Sequence, residues 1–203
     1  MRIRNICLVF GVLALSAGAA LAGVEIGQSA PNFSLPDTNG QTHQLSQYKG
    51  KWVVLEWYQP DCPFVRKHYG SGNTQALQKE FTAKGVVWLS IDSSAPGQEG
   101  NYPADKLNQI ASTQGAARTA LLLDPDGKVG HAYGAKTTPD MYIINPEGKL
   151  VYEGAIDSKP TTVVADLKTA TNYVKVALDD SMTGKSVSQT VTRPYGCSVK
   201  YAQ

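Results

Sequence analysis

The side chain best placed for covalent chemistry in this sequence is Cys62, in the run Gln59-Pro60-Asp61-Cys62-Pro63-Phe64-Val65-Arg66. Proline is favoured at the first position of a helix, because its missing N–H has no partner there in any case and its φ is preset. Pro63 therefore predicts a helix that begins at the thiol, with Cys62 as its N-cap. At that end the free backbone N–H groups and the positive pole of the helix dipole favour thiolate over thiol. Arg66, four residues on and on the same face, is expected to add a positive charge nearby. A thiol so placed is a nucleophile, and the alternative is an inert cysteine in a core. Cys62 and His68 could also be read as a copper pair, but two ligands at that spacing are too few. His43 and His131 lie far off in sequence and read as surface or packing residues.

The chain has 3 cysteines, Cys7, Cys62 and Cys197. Cys7 falls in segment 1–22, where Arg2 and Arg4 precede an apolar run and Ala20-Leu21-Ala22 supplies a small-x-small cleavage site: a secretory signal peptide. The run is shorter than the roughly 20 apolar residues of a spanning helix. Cys7 lies ahead of the run rather than after it, which argues against a lipid anchor. The expected product is exported, periplasmic, and free of the membrane once the signal is cut. Cleavage leaves Cys62 and Cys197 in an oxidising compartment, where two thiols within reach are normally joined. About 19 residues separate Leu178 from Cys197 and can span about 60 Å, more than the roughly 40 Å width of a domain of this size. Cleavage also turns 19 basic and 17 acidic residues into 17 of each, since Arg2 and Arg4 go with the leader. A net charge near zero removes any argument for nucleic acid or a membrane surface as partner.

The elements that must position these thiols follow from periodicity. Val53 to Tyr58 is a bulky β-type run that ends in the polar turn before Cys62, so strand, loop and helix succeed one another. Phe33 to Leu35 and Thr42 to Leu45 flank Asp37-Thr38-Asn39-Gly40 as a hairpin. Leu77 and Phe81 mark a helical stretch ended by Gly85, and Val86 to Asp92 is a second buried strand. Ser93 to Asn101 is small and polar, and is expected to be an exposed loop. Pro103 to Gln114 is a helix with Leu107, Ile110 and Ala111 on one face, and Thr119 to Leu123 is a strand turned by Asp124-Pro125-Asp126-Gly127. Met141 to Ile144 and Leu150 to Gly154 pair as a hairpin across Asn145-Pro146-Glu147-Gly148. Thr161 to Leu178 is expected to be one helix, with Val163, Val164, Leu167, Ala170, Val174 and Leu178 on a shared face. The organisation is a signal peptide (1–22), one α/β domain (23–178) with a mixed sheet covered by helices on both faces and an N-terminal hairpin extension, and a C-terminal tail (179–203) that carries Cys197.

This order of elements, with Cys62 after the first central strand and Thr138-Pro139 before the last hairpin, resembles the thioredoxin superfamily. More narrowly it is similar to the redoxin branch of alkyl hydroperoxide reductase and thiol-specific antioxidant proteins, in a peroxiredoxin-like subgroup with a Cys-Pro-Phe-Val motif. Ala30-Pro31-Asn32-Phe33-Ser34-Leu35 and the stretch from Thr138 through Lys149 carry the likeness, and the tail Gly196-Cys197-Ser198-Val199-Lys200-Tyr201 looks like that subgroup's ending. The resemblance implies that Pro139 is cis and that Thr138 and Pro139 form the edge where substrate backbone pairs beside the active cysteine. It also sets Glu56 where thioredoxins carry a buried acid that relays protons. By alternation Glu56 shares a face with Trp52, Val54 and Tyr58, so it is either such an acid or a satisfied structural carboxylate.

The departures narrow the chemistry. Val65 stands where a thioredoxin has its second cysteine, which excludes a CxxC cycle. The peroxidase signature Pro-x-x-x-Thr/Ser-x-x-Cys is absent as well, so peroxides fall behind protein thiols and disulfides as partners. Three functions compete. Cys62 exchanges disulfides and Cys197 resolves the intermediate, with Glu56 as proton relay. Alternatively Cys62 forms sulfenic acid with peroxide, or a permanent Cys62–Cys197 bond fastens the tail of a binding module. That bond would close a loop of about 135 residues and stabilise by about 5 kcal/mol. No motif demands a metal or other cofactor. The deciding observation is the distance between the two sulfurs together with the exposure of Cys62.

Overall fold

The computed structural model describes residues 23–202, so the expected signal peptide lies outside the described residues. Strands β1 (Ser34–Pro36) and β2 (Thr42–Gln44) form the N-terminal hairpin. The Asp37 carboxylate holds its turn by accepting the backbone N–H groups of Asn39 (2.8 Å) and Gln41 (2.9 Å). A five-stranded sheet is built from β3 (Val53–Trp57), β4 (Val87–Asp92), β5 (Ala120–Leu123), β7 (Asp140–Ile144) and β8 (Leu150–Gly154). Its order is β5-β4-β3-β7-β8, with β3, β4 and β5 parallel and β7 and β8 antiparallel. Every residue of β3, β4 and β7 is buried. Their mostly apolar sequences are those of strands covered on both faces.

Alternation along β3 divides the core. Val53, Leu55 and Trp57 enter a cluster with Phe33, Leu35, Leu45 and the short helix α4 (Lys128–Tyr133). Val54 enters the opposite cluster, where α2 (Asn73–Ala83) and α5 (Tyr173–Met182) place Leu77, Phe81, Val174 and Leu178 against Trp88, Met141 and Ile143. A third cluster lies at the end of β3, where α1 (Pro63–Gly70) and α3 (Ala104–Gln114) pack Val65, Tyr69 and Leu107 around Tyr58 and Cys62. The two-residue strands β6 (Thr137–Thr138) and β9 (Cys197–Ser198) form a separate antiparallel pair. Among the described residues no helix is long and apolar enough to cross a membrane.

Two expectations are corrected. The single helix over Thr161 to Leu178 is instead a 3-10 turn (Val164–Thr169) followed by α5. The turn stops at Thr169 with extended backbone at Ala170, and Asn172 starts the second element, its side chain capping α5 by accepting the Lys175 N–H (2.9 Å). Val163 and Val164 consequently stay half exposed rather than joining the core. The loop after β4 is not exposed at its start: Ser93, Ser94 and Ala95 are buried, and the Ala95 N–H donates to Lys200 O (2.8 Å). The tail lies over it. His43, read as a surface or packing residue, takes the packing role, its buried ring between Tyr48 Oη (2.5 Å) and Asp37 Oδ2 (3.1 Å).

Candidate active site

Cys62 is the N-cap of α1, with Pro63 at the first helical turn. The Gln59 side chain fixes the loop ahead of it by accepting the Cys62 backbone N–H through Oε1 (2.5 Å). Gln59 was not among the residues singled out from the sequence. Its signal is an amide three residues before a helix-capping cysteine, the span at which a side chain can reach that N–H. Arg66 does not add its charge to the thiol. Its guanidinium turns outward to Asp61 Oδ1 (2.6 Å) and the Pro60 carbonyl (3.2 Å), because a carboxylate on the same loop is the nearer partner. Its side chain is 61% exposed, so this pair contributes little to stability.

The Thr138–Pro139 peptide is cis. The Cys62 thiol donates to the Thr138 carbonyl at 3.0 Å. The Thr138 hydroxyl is buried and has no hydrogen-bond partner among the described residues. Opposite it, Thr138 pairs with Cys197 across β6 and β9, and the two cysteine sulfurs face each other at 2.6 Å, within reach of a disulfide. The site therefore brings Cys62, Cys197, Thr138 and Pro139 together.

The sulfurs are close, and Cys62 is also covered, at 2% exposure, while Cys197 is partly exposed. Burial, then the hydrogen bond and charge of Cys62, push the Cys197 thiol up to about 12. Cys197 at rest is thus a poor nucleophile at neutral pH.

Glu56 is placed apart from this group. It is 1% exposed, and its carboxylate accepts from Tyr69 Oη (3.0 Å), Trp88 Nε1 (2.8 Å) and Ser90 Oγ (2.8 Å) on the α2 side of the sheet. No hydrogen bond links it to either thiol. The buried guanidinium of Arg118 sits over the Tyr58 ring at 4.5 Å and over Tyr69 at 5.7 Å, beside the same carboxylate.

A second polar cluster borders the thiols behind α1. Asp157, 1% exposed, accepts from Tyr195 Oη through Oδ1 (2.5 Å), while its Oδ2 lies 3.8 Å from both Lys67 Nζ and His68 Nε2. Burial holds His68 down at about 4, against the opposing pull of Asp157, and lowers Lys67 in the same way. His68 faces Tyr195 and Asn73 rather than Cys62, so the two do not form a ligand pair. A pocket of about 590 Å³ opens beside this cluster, between Phe64, Thr137, Asp157 and the tail residues Arg193 to Gly196.

A mixed sheet whose central strand delivers a cysteine to a helix N-terminus opposite a cis-proline is a thioredoxin-like fold with a redoxin-type thiol site. The model of the AhpC/TSA family matches residues 26–153, and the chain belongs to that family. Its relatives are oxidoreductases of two kinds. The thiol-disulfide oxidoreductase ResA of Bacillus subtilis is 30% identical over 143 residues, which cover 66% of this chain and 70% of that protein. The chloroplastic peroxiredoxin Q of Triticum aestivum is 29% identical over 154 residues, covering 64% of this chain and 68% of the relative. Among solved structures, an uncharacterized conserved protein of Geobacillus kaustophilus superimposes with a TM-score of 0.75 at 27% identity, over 88% of this chain and 93% of that one. An oxidoreductase or peroxiredoxin-like role and the mixed-sheet fold, both expected from the sequence, agree with these relatives.

Proposed function

We propose that the protein is an exported thiol-disulfide oxidoreductase in which Cys62 attacks and Cys197 resolves. The observation that carries this reading is that the Cys62 and Cys197 sulfurs face each other within disulfide reach on two unlike elements: a helix N-terminus and a tail strand. In the forward direction the Cys62 thiolate attacks one sulfur of a partner disulfide, and the other partner sulfur leaves as a thiolate. Cys197 then loses its proton and attacks Cys62 Sγ. A Cys62–Cys197 bond forms, the second partner thiolate leaves, and two electrons have passed to the partner. The reverse sequence oxidises a partner dithiol, and the difference in reduction potential sets the direction. The raised Cys197 thiol supports this order. Burial is its largest cause, and once Cys62 is tied into a mixed disulfide, the added hold of the Cys62 hydrogen bond and charge on the Cys197 proton is gone. Glu56 serves this reading as a carboxylate that fixes Tyr69 and Trp88 beneath the site. Thr138 and Pro139 serve as the wall against which the attacking sulfur is held.

The burial of Cys62 favours a second reading, a permanent bond that fastens the tail. Non-reducing gels distinguish the two. Under exchange, Cys197→Ser accumulates mixed disulfides that require Cys62, and Cys62→Ser accumulates none. Under a structural bond both variants lose equal stability and neither accumulates partners. Peroxidase chemistry leaves sulfenic acid on Cys62 of the Cys197→Ser protein after peroxide, without protein adducts. Absence of Cys62-dependent adducts overturns the exchange reading.

A further inference from the structure

The tail is held along its whole returning course. The Glu153 N–H donates to Thr190 O (2.9 Å), the Thr192 N–H to Glu153 O (3.0 Å), the Val199 N–H to Lys136 O (3.1 Å) and Tyr201 Oη to Ala135 O (2.9 Å). Between these anchors Tyr195 enters the pocket behind α1, edge-on to Phe64 at 5.7 Å and hydrogen-bonded to Asp157. Gly196 then passes so close to the Thr138 carbonyl that a Cβ would overlap it, and its φ of 150° is one that L side chains rarely adopt. Only after this does Cys197 pair with Thr138 and face Cys62. Thus a cysteine in an extended strand, with glycine before it and an aromatic residue before that, already occupies the one edge beside Cys62.

We infer that this tail is an internal substrate strand. Residues Tyr195 to Ser198 fill the groove that an external partner must take to reach Cys62, and the groove selects an extended segment of the pattern aromatic-Gly-Cys. The partner is a polypeptide strand that displaces the tail from Thr137 and Thr138 by making the same backbone pairing. Its glycine clears the Thr138 carbonyl, and its aromatic ring replaces Tyr195 against Phe64. This rests on the exchange reading for its purpose, but the seating of the tail is measurable without it.

The test has two arms, both with the full chain carrying Cys197→Ser and with labelling of Cys62 followed by peptide mapping. In the first, adding Gly196→Ala should lift the tail and raise the iodoacetamide labelling rate of Cys62 by about ten-fold. Tyr195→Phe, which removes only the hydroxyl that bonds Asp157, should raise it in the same direction by a smaller factor. Unchanged rates in Tyr195→Phe, or in a Gly196→Ala protein with native circular dichroism, overturn the proposal. In the second arm, a peptide of residues 193–201 carries its cysteine as a mixed disulfide with thionitrobenzoate. Attack by Cys62 joins the peptide to the protein and releases one thionitrobenzoate, which is coloured. The peptide should react about ten-fold faster than the same peptide with alanine at the glycine. Equal rates overturn the selection. Neither arm depends on adducts forming in cells, so failure of the exchange reading and failure of this one are told apart.

Discussion

Cys62 and Cys197 stand within contact of each other, yet they are supported in opposite ways. Cys62 is carried by β3 and α1, elements fixed by Tyr58, Val65 and Tyr69 in a packed cluster. Cys197 is carried by a two-residue strand and a series of backbone hydrogen bonds to the edges of other elements. Core burial gives a position that persists, whereas single hydrogen bonds contribute about 1 kcal/mol each and open locally. Cys62 is therefore the more deeply anchored of the two thiols and Cys197 the one whose release breaks fewer contacts, which is the division of labour an attacking and a resolving cysteine need.

The change that breaks this comparison most completely is Cys62→Ser. It is expected to abolish disulfide exchange altogether, read as loss of turnover with a model disulfide, because the attacking sulfur at the helix N-terminus is gone and burial, the largest cause of the raised Cys197 thiol, remains. Glu56→Ala comes next, and acts on stability. It leaves the Trp88, Ser90 and Tyr69 donors unpaired in the core, at a cost on the order of 3 kcal/mol by chemical denaturation. Cys62 labelling at a temperature where the variant is folded should stay near its original rate. A large drop in labelling with unchanged stability would instead make Glu56 a proton relay.

A smaller effect is expected from Asp140, which burial pushes up to about 7. Its folded value lies above the unfolded one near 3.8, so the native state binds the extra proton and stability falls as pH rises between about 4 and 7. Asp140→Asn should remove that fall, so the variant gains on the wild type at pH 8 relative to pH 4 when both proteins are compared by denaturant titration. Equal pH slopes contradict the shift. Smallest is Asn172→Ala, which removes the cap of α5 and should cost about 1 kcal/mol without touching exchange.

The two cysteines also differ in how far they could be read from the sequence. The setting of Cys62 was legible because it is local: the bulky β-type run Val53 to Tyr58 gives the strand, and Cys62-Pro63 gives the helix start. The mixed sheet around β3 followed from the order of strands and helices. The seat of Cys197 is non-local. Tyr195 meets Asp157 and His68, Gly196 clears Thr138, and Tyr201 stacks on His131, none of which is visible in the tail's own residues. The buried start of the loop after β4 went unread for the same reason, since the tail covers it. Two local features were available and missed. Asn172 is a helix-capping residue three positions before the Lys175 N–H it holds, and Arg66 has Asp61 beside it as a competing partner.

The central claim, that Cys62 attacks and Cys197 resolves, is tested most directly by counting leaving groups. Reduced protein is mixed with 5,5′-dithiobis(2-nitrobenzoate), and the thionitrobenzoate released by Cys62 and Cys197 is followed with peptide mapping of the product. The account predicts that wild type releases two equivalents from this pair and ends with a Cys62–Cys197 disulfide. Cys197→Ser should release one and keep the adduct on Cys62. A wild-type product with separate adducts on Cys62 and Cys197, or a Cys197→Ser protein with none on Cys62, would contradict it.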